Sequence, residues 1–132
     1  MVLSMKKRSQ SWNQFGQLID IVGLKISRKQ REIKKLKNKS LECEQKIKNK
    51  WDDIKRYQTE MSTLKIADEE RAVARYFAKI DATKRDIEDL FMEATLAQKE
   101  LKKIQEEMAT LSSESARLAK RKDALNEVRA EL

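Results

Sequence analysis

The chain has 132 residues, with 39% apolar, 39% charged and 5% aromatic residues and a formal charge of +8. That is poor material for a broad globular core and suits a long, thin helical molecule read as one domain, 1-132. It contains no His, no Pro, two Gly and one Cys, so it lacks a zinc ligand set, an imidazole base and a glycine-rich phosphate loop; it is expected not to be an enzyme and to need no metal and no cofactor.

From the N-terminus, "MVLSMKKRSQ" carries cations without a following uninterrupted apolar core and is not expected to act as a secretory signal. "LIDIVGLKI", Leu18 to Ile26, is interrupted by Asp20 and Lys25 and is far shorter than the roughly 20 residues of a membrane span. No membrane insertion is expected. A lone Cys43 allows no intramolecular disulfide, which fits a cytoplasmic location.

Steps of four and three residues from Phe15 give a seam through Ile19, Val22, Ile26, Lys29, Ile33, Leu36, Ser40, Cys43, Ile47, Lys50, Ile54, Tyr57, Met61 and Leu64. Twelve of these fifteen positions are apolar, where composition alone would supply about six, so the run predicts a coiled-coil helix over about 9-64. A second run starts at Val73 and continues through Tyr76, Ile80, Thr83, Ile87 and Leu90 to Leu132, with fourteen apolar residues among eighteen positions. The two frames are offset by five residues, whereas tolerated coiled-coil discontinuities insert three or four. The offset predicts a turn at about 65-68. Asp68, Glu69 and Glu70 suit a helix start, because an Asp can cap orphan N–H groups and acids in a first turn complement the helix dipole. The second helix is therefore placed at about 69-131. Helices of about 84 and 95 Å joined by so short a turn fold back on each other. The expected fold class is all-α, an antiparallel coiled-coil hairpin. A register setting Ser40 beside Ala97 and Cys43 beside Ala94 would pair thin layers near mid-length.

The stretch "RKQREIKKLKNK", residues 28 to 39, holds seven cations and one acid, yet Ile33 and Leu36 keep the seam running through it. Residues 1 to 66 carry 17 Lys/Arg and 7 Asp/Glu, against 13 and 15 in the remainder, so the first helix is basic and the second slightly acidic. Such a run is first a solvated face that pairs with an acidic partner helix. A basic-zipper DNA reader sets its cations ahead of the zipper, and no aromatics interleave here to stack bases, so no specific nucleic acid is expected. Asp52, Asp53, Asp86, Glu88 and Asp89 read as solvated surface, and Asn38-Lys39-Ser40 as a chance glycosylation match inside a helix.

Apolar residues beside the seam are the remaining signal. Trp51 and Phe77 flank core positions near the predicted turn, with Tyr57 and Tyr76 on the seam; Phe91 and Met92 lie further along. Either the rings widen the core, or they form a partner surface at the tip, since aromatics and Met are frequent interface anchors.

A Pro-free basic chain of this length, with two heptad-bearing helices about a central turn, resembles the YscO/EscO/FliJ family of stalk proteins of type III secretion and flagellar export. The resemblance covers the whole chain and rests on layout; no motif carries a residue's role across. It implies a coiled-coil protein of bacterial protein transport and virulence, cytoplasmic or peripheral at the secretion apparatus. Its partners would be a hexameric secretion ATPase, whose assembly and activity it promotes, an export gate protein, and chaperones. On that basis Arg28, Arg31, Lys34 and Lys35 are the expected ATPase-binding cations, and Trp51, Tyr57, Tyr76 and Phe77 the expected gate contact. The alternative is a structural coiled-coil scaffold or dimerisation protein; a basic nucleic-acid-associated rod ranks behind both.

Overall fold

A computed structural model describes the backbone of residues 2–64 and 72–132, with side chains from residue 10 onward. It is all-α. Helix α1 spans Val2–Thr63 and helix α2 spans Ala72–Ala130, packed against each other as an antiparallel hairpin. α1 starts ahead of the expected position 9, because residues 2–8 contain neither Pro nor Gly to stop it. The expected turn at 65-68 and the Asp68 cap lie outside the described residues.

The helix ends carry local hydrogen bonds. Near the end of α1 three hydroxyls bond back to the helix: Thr59 Oγ1 to the Lys55 carbonyl, Ser62 Oγ to that of Thr59 and Thr63 Oγ1 to that of Glu60, at 2.8–3.0 Å. Such bonds satisfy the hydroxyls within their own helix and recur inside α2 at Thr83, Thr95 and Thr110. α2 closes more tightly, with the Glu131 N–H donating to the Val128 carbonyl at 3.2 Å and the Leu132 N–H to that of Arg129 at 3.1 Å. These bonds satisfy carbonyls that lack an intrahelical partner, and Arg129 adds a cation to the last turn.

The chain forms two compact units, each built from one part of α1 and one part of α2 running antiparallel. The first joins Met1–Asn38 with Gln105–Leu132; the second is Lys39–Ile104. Among the described residues of the first unit, Ile19 and Val22 are buried, and Ile26, Ile33, Leu36, Leu111, Leu118 and Leu125 are half-buried. In the second unit the core is Cys43, Ile54, Ala94 and Ile104, joined by the buried hydroxyl residues Ser40 and Thr83. Thr83 Oγ1 donates to the Lys79 carbonyl at 2.8 Å, so this buried hydroxyl is satisfied within its own helix.

All fifteen positions of the first seam are buried or half-buried, as are sixteen of the eighteen in the second; the exceptions are the end residues Val73 and Leu132. The lysines on these seams keep their places by reaching outward from half-buried stems. Lys29 Nζ meets Glu114 at 2.7 Å, Lys50 Nζ meets Glu93, and the Lys122 amine lies over Gly23. In the second unit the register departs from the one that the thin layers suggest. The Cys43 thiol donates to the Ala97 carbonyl at 3.1 Å, about one turn along α2 from Ala94.

Candidate functional site

The basic face of α1 in the first unit is set by its seam. Ile33 and Leu36 are half-buried against α2, and that orientation leaves Arg28, Arg31, Lys34 and Lys35 exposed. The last three spread over the outward side of one turn, while Arg28 lies one turn earlier, three residues before Arg31. Arg28 also lines a shallow groove with Lys25, Lys29, Glu32, Glu114 and Arg117, where cations outnumber carboxylates. Lys29 is the cation of this groove that carries an ion pair within the hairpin. Its pKa is raised above 10.5, first by the hydrogen bond to Glu114, with desolvation opposing and the charges of Glu114 and Glu32 adding to the rise. A polyanionic or carboxylate-lined partner would therefore meet Arg28, Arg31, Lys34 and Lys35 at solvent, through interactions that salt screens.

The four expected tip aromatics do not form one cluster. Trp51, 37% exposed, meets Phe91 edge to face with ring centroids 5.1 Å apart. Phe77, 56% exposed, meets its neighbour Tyr76 at 5.5 Å, also edge to face. Since Phe91 lies level with Trp51 and fourteen residues beyond Phe77 on α2, the two pairs are separated by about 21 Å along the helix. Tyr57 is half-buried on the seam, with the Arg56 guanidinium 5.4 Å from its ring centroid. Trp51 is thus partly a core edge, completed by Phe91, one of the off-seam residues placed further along the second helix, whereas Phe77 keeps more than half its surface open.

A third arrangement was not anticipated from the sequence. Near the start of α1 in the first unit, the Arg129 guanidinium stacks over Trp12 with its carbon 3.5 Å from the ring centroid, a cation–π contact. It fits because the adjoining residue is Gly16: a Cβ there would meet Arg129 Nη2 at 2.8 Å. Among the described residues Arg129 Nε is buried without an acceptor, consistent with a guanidinium held between an aromatic face and backbone. The available signal was the glycine spacing. Gly16 and Gly23 stand one heptad apart, on the same side of α1, opposite Arg129 and Lys122, which are also one heptad apart.

Among the described residues no group of three His, Cys, Asp or Glu side chains is placed to hold a metal ion. No described helix is long and apolar enough to cross a membrane. The surface chemistry available is electrostatic and apolar contact: exposed cations on α1, open aromatic edges in the second unit, and shallow interhelical grooves. No protein-family model, curated protein or solved structure matches the chain.

Proposed function

We propose that this chain is the central stalk of a bacterial type III secretion system, binding the hexameric secretion ATPase, promoting its assembly and activity, and linking it to the export gate protein. The observation that carries this reading is the combination of a hairpin whose two seams bury each other with a strongly cationic outer face at Arg28, Arg31, Lys34 and Lys35. A helix pair that satisfies its own core leaves its outer faces available to a partner, and exposed charge supplies orientation and association rate. Trp51, Tyr57, Tyr76 and Phe77 are the surface proposed for the gate, with the exposed rings of Phe77 and Trp51 as its anchors. The protein acts in the cytoplasm, peripheral at the apparatus, without catalysis of its own and with chaperones as further partners.

The test is binding to the cognate ATPase hexamer as a function of salt. Affinity falls as salt rises, because exposed charges are screened over about 8 Å at physiological ionic strength. Changing Arg28, Arg31, Lys34 and Lys35 together to Glu retains helicity, since Ile33 and Leu36 stay in place, and abolishes that binding. A quadruple variant that binds as the wild type does would remove the ATPase role from these cations. Steeply salt-dependent wild-type binding to duplex nucleic acid, with none to the ATPase, would replace the proposal.

A further inference from the structure

Beside the seam of α1 in the first unit runs a second row, made of Leu18, Ile21, Lys25 and Arg28. Each member precedes a seam residue, namely Ile19, Val22, Ile26 and Lys29, so the row borders the core along one flank. All four are exposed, Leu18 at 45% and Ile21 at 49%.

α2 carries the same construction in the second unit. Asp86, Asp89, Glu93 and Leu96 each precede a seam residue, namely Ile87, Leu90, Ala94 and Ala97, and all four are exposed. Glu93 is already paired with Lys50 of its own chain, so its neighbour Met92, 67% exposed, is the open apolar group at that level beside Leu96 at 63%.

The two rows match in one direction only. Run antiparallel, Leu18 meets Leu96, Lys25 meets Asp89 and Arg28 meets Asp86, while Ile21 comes to the level of Glu93, which Lys50 of its own chain engages and beside which Met92 is open. Run parallel, Leu18 meets Asp86 and Arg28 meets Leu96, leaving an apolar group against a charge at both ends. We propose that this chain self-associates, the Leu18–Arg28 row of one copy receiving the Asp86–Leu96 row of a second copy in antiparallel orientation. Apolar contact at one end supplies burial, and the charge pairs at the other fix direction and register. The occupant is a second copy because the chain itself holds the complementary row. This association is read without any ATPase, although it shares Arg28 with the face proposed for the ATPase.

The experiment is sedimentation equilibrium of the full chain over a range of micromolar concentrations, with circular dichroism to check helicity. The wild type associates beyond the 15.5 kDa monomer. Lys25→Glu with Arg28→Glu weakens association about tenfold or more, as does Asp86→Lys with Asp89→Lys, whereas the four changes combined restore it to within about threefold of wild type. Leu18→Ser with Ile21→Ser weakens it too. A chain that stays monomeric throughout, association indifferent to either double reversal, or a combined variant no tighter than the doubles would each overturn the proposal. All six residues are exposed, so helicity persists; were it lost in the serine variant, the charge-reversal set alone decides.

Discussion

Ile54 offers the sharpest test of where the stability of the second unit resides. At 2% exposure it is the largest fully buried side chain among the described residues, and Ile54→Ala removes three carbons from that position. At about 0.8 kcal/mol per buried carbon the lost transfer free energy is about 2.4 kcal/mol, and the space left behind raises the cost to about 3 kcal/mol. A value well above that is not expected, because a layer only two helices thick can partly close or admit water. Leu41→Ala makes the comparison. Leu41 lies on the same helix and in the same unit, off the seam and 57% exposed, so its truncation should cost about 0.5 kcal/mol or less. Urea unfolding followed by far-UV circular dichroism gives both values, and amide exchange within residues 39–104 localises the loss. Equal costs for the two variants, or less than about 1 kcal/mol for Ile54→Ala, would refute the seam as the source of cohesion.

The two glycines should respond differently to the same change. Gly23→Ala places a Cβ 3.4 Å from the flexible Lys122 amine and should stabilise by up to about 1 kcal/mol through helix propensity, whereas Gly16→Ala must push Arg129 off Trp12 and gain little or nothing; thermal melts that rise equally for both would contradict the stacked arrangement. For Lys29 the folded pKa lies above 10.5, so its contribution to stability is fully present below that pH and is lost as pH rises through the raised value. Wild type should therefore lose more stability than Lys29→Met as pH rises above 10.5. Parallel denaturation profiles for the two proteins over that window would show that the Glu114 contact does not stabilise the first unit.

The seams were legible because heptad spacing states directly which side of a helix faces its partner. Even the polar members Ser40, Thr83 and Lys29 proved buried or half-buried where the pattern placed them. The register was less legible. Successive turns of α2 offer similar small residues, Ala94 and Ala97, and spacing alone does not separate them; the Cys43 thiol settles on the Ala97 carbonyl. The aromatic site was legible in composition but not in grouping. Trp51 and Phe77 both flank the seam, but Trp51 lies level with Phe91, and this follows only from the register. Arg129 falls on the second seam as a charge among apolar positions, and its accommodation needs both a ring and a missing Cβ on the opposite helix, which spacing alone does not reveal. The exposure of Arg28, Arg31, Lys34 and Lys35 followed from Ile33 and Leu36 alone, whereas the partner they would meet is a matter of chemistry outside the chain.

The most direct test of the stalk proposal is the rate of ATP hydrolysis by the cognate secretion ATPase as purified chain is titrated in. The account predicts a saturable rise in rate with assembly of the hexamer, weakened by added salt and absent for the variant with Glu at positions 28, 31, 34 and 35. A rate and an assembly state unchanged at every concentration of wild-type chain would contradict it.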